Sequence, residues 1–401
     1  GFKSYIISYD LLRRPAKDGI SIKSQIQKLG IKLVVLDECQ QIKNPDSTRT
    51  QEVRTLLAEP NIKVLPLSGT PWKNRACEFF PALNLISPTK FNSYANFVTR
   101  WCNYYELPNG KTKMGGIAHL KEFREYTEGL MIRREYNEVM DEFPEINRLK
   151  LNVQLDEMNQ SIFDNAESEF VEWYNELIIG GEEDSINSIE ILGKMARMRH
   201  IVGLAKIGAT VSFVEEFLEN TSRKLVIFTH HKDLMELLFD ALHNSCHEAG
   251  VPLIKMTAEQ DDRERYEVEK RFNGTERIVM LASTLACGEG RNFQTCSDSV
   301  MHERQFNPQN EEQASPGRFR RIGQKSSHIN TTYIQAEGTI DEWLEGINED
   351  KGIFYNQSMN KGEYKGWSES DLAKDLAGKI VERHNLKNKG SKKKVSQFAK
   401  F

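Results

Sequence analysis

Ile31-Lys32-Leu33-Val34-Val35-Leu36-Asp37-Glu38 is a short apolar run that ends on two adjacent carboxylates. A continuous run of this length suits a buried strand of a parallel sheet. Its C-terminal end is the place where open α/β sheets bind their ligands. A carboxylate there can hold Mg²⁺, directly or through water, and its neighbour can orient an attacking water. A strand end running into a solvated turn fits the same residues, so the pair points to a fold class and leaves its chemistry open.

Around this run the chain alternates strand and helix. Tyr5–Tyr9 reads as a strand, Ser47–Leu57 as a helix, and Lys63–Leu67 as a strand that ends at Ser68-Gly69-Thr70-Pro71. This rhythm predicts a first α/β lobe over residues 1–77. Residues 78–208 turn long, aromatic and mostly helical, with a loop near Pro108-Asn109-Gly110 and a break at Gly115-Gly116. Within them, Leu149–Leu155 alternates like a strand and is expected to return to the first lobe. Asp156–Ile179 and Ile186–Ala205 read as helices. Over residues 209–350 strands at 225–228, 253–256, 278–281, 300–301 and 331–334 alternate with helices, which predicts a second lobe. Residues 351–401 are expected to form a polar, basic tail. The fold class is α/β, with two parallel-sheet lobes and helical insertions between them.

Bulk properties narrow the function. With 401 residues, 39% hydrophobic and 28% charged, the chain has an ordinary globular composition and room for more than one core. No apolar stretch approaches the length of a membrane span, and no signal peptide opens the chain. The six cysteines, at 39, 77, 102, 246, 287 and 296, contain no CxxC pair, which suits a reducing compartment such as cytoplasm, nucleoid or nucleus and not secretion. A net charge of −4 leaves nucleic-acid binding to a local basic surface. The run Lys387 to Lys394 is one, and contact with phosphates and simple solvation fit it about equally. His243 and His247 flank Cys246 at helical spacing, but with no second ligand pair they read as surface residues. The five tryptophans form no base-stacking pattern and read as packing residues.

Three further stretches carry chemistry. Ser68-Gly69-Thr70-Pro71 places two hydroxyls at a strand end, where an ordinary turn would use the same residue types. Ala282 to Phe293 follows a strand, and Gly288 and Gly290 would let backbone amides approach phosphate. Gln313 to Gln324 (QASPGRFRRIGQ) offers Arg318 and Arg321 three apart, on one face of a helical turn, where guanidiniums can grip phosphates.

In this order the stretches resemble the motifs of the Swi/Snf-related helicase-like ATPases of superfamily 2. Asp37-Glu38-Cys39-Gln40 is similar to the DExx box, Leu67–Pro71 to motif III and Ser8-Tyr9-Asp10 to motif Ib. Leu225–His231 resembles motif IV, Ala282–Phe293 motif V and Arg318–Gln324 motif VI. Met131-Ile132-Arg133-Arg134 resembles a hydrophobic-Arg-Arg stretch of the family, and Phe228-Thr229-His230-His231 leans toward its annealing-helicase branch. The resemblance covers residues 1 to about 350. It implies two RecA-like lobes with ATP and Mg²⁺ between them. Asp37 would hold Mg²⁺ together with Glu38, which also activates water, and Arg318 and Arg321 would reach the γ-phosphate. Gly288, Gly290 and Gln324 would line the nucleotide. Ser68, Gly69 and Thr70 would couple hydrolysis to DNA, with Arg133, Arg134 and Glu289 near the DNA path. The implied partner is duplex or forked DNA.

The pattern breaks in three places. No G-x-x-x-x-G-K-[ST] loop occurs in the 401 residues. The chain opens without methionine, inside an apolar run, so the loop is expected upstream and the chain as it stands is expected to hydrolyse ATP poorly. Ser315-Pro316-Gly317 is one residue longer than the family's usual spacing before Arg318. Arg291 stands where an apolar residue is common, with a phosphate contact as its only evident use. An RNA helicase and a DNA-binding scaffold without hydrolysis are the competing functions.

Overall fold

Helices α1 (Tyr9–Leu12) and α2 (Ile22–Lys28) precede strand β1 (Leu33–Leu36), which the apolar run forms as expected. The computed structural model describes residues 3–14, 22–58, 62–69, 75–106, 112–132, 134, 144–180, 188–284, 286–287, 291–306, 308–345, 373–374 and 376–386. They divide into two units, the first built on Gly1–Arg133 and the second on Arg134–Gly352 with Glu369–Phe401.

In the first unit, β1 pairs in parallel with β2 (Lys63–Pro66), from Leu33↔Lys63 to Leu36↔Pro66. Between them lies α3 (Thr48–Leu57), started by Ser47, whose hydroxyl accepts the Thr50 amide. Alternation along the strands sends Val34, Leu36 and Val64 toward Val53 and Leu56 of α3. The other face carries Leu33, Val35, Leu65 and Leu67, all exposed. The strand expected at Tyr5–Tyr9 does not form. Residues 3–8 have no regular structure, and Tyr5, Ile6 and Ile7 lie exposed without a ladder partner among the described residues. Strand propensity expresses itself only when a neighbouring strand accepts it.

Beyond β2, α4 (Phe80–Ile86) and α5 (Tyr94–Trp101) lead into an antiparallel hairpin, β3 (Cys102–Glu106) and β4 (Thr112–Ile117), followed by α6 (Leu120–Thr127). The hairpin corrects the helical reading of this region, since Gly115 and Gly116 lie inside β4. Phe91, Phe97, Trp101 and Phe123 pack edge to face here, with Trp101 and Phe123 centroids 5.3 Å apart, and Phe80 lies tilted against Phe97.

The second unit is organised by a six-stranded, wholly parallel sheet. Its strands are β5 (Glu145–Val153), β6 (Leu225–Thr229), β7 (Leu253–Met256), β8 (Val279–Ser283), β9 (Asp298–Met301) and β10 (His328–Ala336), in the order β5-β10-β9-β6-β8-β7. The strand expected to return to the first lobe is thus the edge of this sheet, paired with β10 over nine residues, Glu145↔His328 to Val153↔Ala336. Alternation alone could not name its partner. The helices are α7 (Glu157–Ile179), α8 (Ser188–Ala205), α9 (Ile207–Asn220), α10 (Lys232–Glu248), α11 (Asp262–Phe272) and α12 (Pro308–Ala314). On one face, Val214 and Phe217 of α9 and Leu234 and Leu238 of α10 cover Ile227, Leu281 and Val300. On the other, Phe272 of α11, Phe293 and Phe319 cover Phe228, Met280 and Met301.

A third cluster joins α7 and α8 to Trp343 and to a C-terminal helix at 376–386. Ala373, Leu376, Ala377 and Ile380 are fully buried there. The tail expected over 351–401 therefore contains a core-forming helix. Its apolar positions fall at i, i+3, i+4 and i+7 inside a polar composition that masks them. Lys387 to Lys394 lies outside the described residues.

The junction of α8 and α9 is tied to the sheet by a buried ion pair. Lys206, 1% exposed, donates to the Asp341 carboxylate at 2.6 Å and to the Ile334 carbonyl at 2.7 Å. Asp341 also accepts the Ala336 amide at 3.0 Å. Lys206→Met leaves that carboxylate uncompensated and is expected to cost about 3–5 kcal/mol in urea unfolding, and adding Asp341→Leu should return part of the loss. A single variant as stable as the parent would disprove the tie.

Candidate functional site

In the first unit the candidate groups stand at the carboxyl ends of β1 and β2. The chain leaves β1 through a turn that is stitched to β2. The Leu67 amide donates to the Leu36 carbonyl at 2.9 Å and the Cys39 amide to the Leu67 carbonyl at 2.8 Å. Glu38 sits at φ 48° and ψ 53°, left-handed backbone that a residue with a Cβ avoids at a cost of about 1–2 kcal/mol. Local bonds hold it there. Its amide donates to Asp37 Oδ1 at 3.1 Å, and Gln40 Nε2 donates to its carboxylate at 2.5 Å. The conformation leaves Asp37 exposed and Glu38 half-buried beside it.

Gln40 is the residue that sequence reasoning missed. It is buried in the 3₁₀ turn Cys39–Ile42, and its two amide atoms face different partners. Nε2 binds Glu38, while Oε1 accepts the Ser68 hydroxyl at 2.6 Å. One side chain therefore connects the carboxylate pair to the second strand end. The signal was a glutamine inside the carboxylate box, with nothing in the sequence to say what it would reach. Tyr9 adds a brace by donating its hydroxyl to the Asp37 carbonyl at 2.8 Å, and Arg49 of α3 bridges Asp10 and Gln41 at 2.8 and 2.6 Å. Gly69 is exposed next to Ser68, and Thr70 lies outside the described residues.

The exposed Asp37 carboxylate and the Ser68 hydroxyl are hard oxygen donors of the kind Mg²⁺ takes when it also keeps waters and phosphate oxygens. Among the described residues no group of three His, Cys, Asp or Glu side chains could by itself hold a metal. The donor set thus fits a cation delivered with a phosphate ligand. His243 and His247 stack on an exposed helix face, their ring centroids 6.4 Å apart, while Cys246 points into the core.

In the second unit the arginine turn follows α12. Ser315, Ser299 of β9 and Thr331 of β10 form a buried hydroxyl cluster, with Ser315 Oγ 2.7 Å from both partners. Gly317 then passes so close to α12 that a Cβ would lie 2.6 Å from the Glu312 carbonyl and 2.9 Å from that of Gln313. The one extra residue of Ser315-Pro316-Gly317 is thus accommodated in a tight turn against the end of the helix. Arg318 is buried and its Nε donates to the Cys287 carbonyl at 2.9 Å. Arg321, three residues on in the same non-helical run of turns, is exposed, so the expected shared helical face does not form. Gln324 binds the chain itself, donating to the Cys296 and Phe319 carbonyls at 2.8 and 3.1 Å and accepting the Ser326 amide at 2.9 Å. Gly288, Glu289 and Gly290 lie outside the described residues, as does Arg133, while Arg134 is exposed. Arg291 is no bare cation. It pairs with Asp262 and Glu269 of α11 at 3.1 and 3.3 Å.

A polar hub that the sequence did not announce lies at the carboxyl ends of β6 and β9. Glu303 is buried, and its carboxylate accepts the His230 and His231 amides at 2.6 and 2.9 Å and faces His231 Nδ1 at 2.5 Å. Burial alone would raise its pKa. The His231 bond and the Arg199 guanidinium 3.9 Å away reverse this and hold the carboxyl well below its usual range. His302 beside it is fully buried, between the Thr210 hydroxyl at 2.8 Å and the Gly203 carbonyl at 3.0 Å. Burial, with Lys206 nearby, pushes its pKa down to about 3. A Cβ on Gly203 would meet the Leu234 side chain at 2.7 Å, so α8 and α10 approach closely at this glycine.

The SNF2-related domain matches residues 2–204, half of the chain, and the helicase conserved C-terminal domain matches residues 208–323. The chain belongs to the SNF2-related family. It is 26% identical to the human DNA annealing helicase and endonuclease ZRANB3, over 89% of this chain and 32% of that protein. It is 27% identical to the Xenopus laevis SWI/SNF-related matrix-associated actin-dependent regulator of chromatin subfamily A-like protein 1, over 84% and 33%. The chain spans about a third of the length of these relatives. Among solved structures, the Sulfolobus solfataricus SWI2/SNF2 ATPase core in complex with dsDNA aligns at 18% identity and a TM-score of 0.41, covering 81% of this chain and 68% of that one. The SNF2-related match runs through β5, α7 and α8, which pack in the second unit, so the family boundary near 204–208 and the boundary between packing units near 133 differ.

Two outcomes follow for the second unit. Gly317→Ala should lower its stability by about 1–3 kcal/mol, because backbone must move to admit the methyl group, and a neutral effect in thermal unfolding would contradict the contact. A histidine with a depressed pKa binds protons better unfolded, so its contribution is present above the unfolded value near 6.5 and is lost as pH falls toward 3. The melting temperature of the second unit should fall by at least about 5 °C between pH 7 and pH 5, and less in His302→Gln. Equal slopes in parent and variant would remove His302 from this role.

Proposed function

We propose that this SNF2-related chain carries the hydrolytic and coupling residues of an ATP-driven motor acting on duplex or forked DNA. The observation that carries the reading is the Glu38–Gln40–Ser68 connection at the two strand ends, directly beside the exposed Asp37. Asp37 would hold the Mg²⁺ that arrives with ATP, and Glu38, placed beside it by its left-handed backbone, would orient water and take its proton as the terminal phosphate leaves ADP. Gln40 ties Glu38 to Ser68, so a change at the carboxylate alters the segment Ser68-Gly69-Thr70 that the reading assigns to DNA coupling. Of the two arginines, Arg321 is exposed and suits a phosphate contact. Arg318 is anchored to the Cys287 carbonyl and would set the position of the turn. Gly288, Gly290 and Gln324 at the nucleotide, and Arg133, Arg134 and Glu289 along the DNA, complete the proposal. The names of the relatives support DNA over RNA.

The competing reading is a scaffold that binds DNA without hydrolysis, and the presence of Asp37, Glu38, Arg318 and Arg321 together argues against it. ATP hydrolysis, with and without duplex DNA or RNA, decides between the readings when measured on this chain and on a form extended upstream to include a G-x-x-x-x-G-K-[ST] loop. The 401-residue chain should turn over little ATP. The extended form should be stimulated by duplex DNA, and Glu38→Gln should lower its rate by about 10²–10⁴-fold. Gln40→Ala should weaken the stimulation by DNA more than the basal rate. No hydrolysis by the extended form, with DNA binding kept, would leave the scaffold reading standing.

A further inference from the structure

The arginine turn is held from behind by α11. Glu269, on that helix, uses both carboxylate oxygens on the segment that follows β8. Oε1 accepts the Asn292 amide at 3.0 Å and Oε2 faces the Arg291 guanidinium at 3.3 Å, while Arg291 also reaches Asp262 at 3.1 Å. The Arg291 and Glu269 side chains are 15% and 16% exposed, so the pair is shielded far more than an ordinary surface ion pair. Asn273, at the end of α11, donates to the Asn292 carbonyl at 2.7 Å. The next residue passes the restraint on, since the Phe293 amide donates to the Arg318 carbonyl at 2.8 Å. The Phe293 ring lies edge to face between Phe272 of α11 and Phe319 of the turn, with centroids 5.5 and 5.9 Å away. A continuous path of bonds and rings thus runs from α11 to the backbone of Arg318.

We propose that Glu269 and Arg291 are positioning residues that fix the arginine turn through Asn292 and Phe293. The assignment of Arg291 to a phosphate contact is replaced by an internal clamp, in which its charge is neutralised by two carboxylates of one helix face. The spacing Asp262 to Glu269 is two helical turns, which puts both acids on the side of α11 that meets the segment. The consequence for the motor rests on the proposed function, because only then does the turn address a phosphate.

The test uses the full chain and compares Arg291→Leu, Glu269→Gln, their double variant and Arg291→Lys. Glu269→Gln keeps an acceptor for the Asn292 amide and removes only the charge. Amide hydrogen exchange over 291–295 and 317–321 reports on the clamp, and duplex-DNA affinity over a range of salt reports on phosphate contact. The clamp predicts exchange about three- to tenfold faster in both single variants, a double variant well short of the product of the two effects, and recovery in Arg291→Lys. It also predicts that the two single variants shift DNA affinity in the same direction, with the salt slope unchanged. A phosphate contact predicts opposite shifts, weaker binding with a shallower slope for Arg291→Leu and tighter binding for Glu269→Gln. That result, or unchanged exchange in both variants, overturns the proposal. Failure of the parent chain to bind duplex DNA would count against the motor reading alone, since the exchange arm still decides the clamp.

Discussion

Parallel pairing of β10 with β5 is the constraint on which the second unit depends. Parallel strands cannot be joined by a tight turn, and here the connection from β5 to β10 contains the other four strands of the sheet. Asn147 and Asn330, hydrogen-bonded across the ladder at 3.0 Å, are 183 positions apart. Closing so long a loop costs only slightly more entropy than closing a short one, but nothing local rewards it until the sheet exists. Once formed, the ladder brings α7 and α8 onto the sheet, and Lys206 and Asp341 lock their far end against β10.

The polar interior follows from that arrangement. Amides at a helix N-terminus have no intrahelical partner, and Glu303 satisfies those of His230 and His231 at the start of α10. Arg199, delivered by α8, supplies the counter-charge and also lies over the Phe306 ring, 4.6 Å from its centroid. Arg304 pairs with Glu311 at 3.1 Å and covers Tyr333 in the same way. Arg199 brings its charge from α8 and Glu311 from α12, and both meet residues that follow β9.

The two candidate regions share a design. The first lies just past two strand ends and the second just past α12, and in each the backbone is fixed by side chains from neighbouring segments, Gln40, Tyr9 and Arg49 in the first unit and Glu269, Asn273 and Gln324 in the second. The candidate side chains Asp37 and Arg321 stay exposed while their backbones are held. In the first unit the left-handed Glu38 is the local cost of that design.

The sequence alone determined what depends on local pattern. The short apolar runs ending at Leu36, Phe228 and Leu281 became parallel strands, Ser47 and Asp156 started helices, and the motif order placed the chain in its family, because periodicity, capping and strand-end chemistry are encoded within a few residues. Tertiary structure decided whatever depends on a distant partner. Tyr5–Tyr9 has strand composition but pairs with no strand among the described residues, and Leu149–Leu155 alternates in either lobe equally well until β10 accepts it. The helix at 376–386 hides its apolar stripe in a polar tail. Gln40, Glu303 and the Glu269–Arg291 clamp join residues across 28, 72 and 22 positions, and a side chain's partner at such separation is fixed by packing and not by its neighbours in sequence.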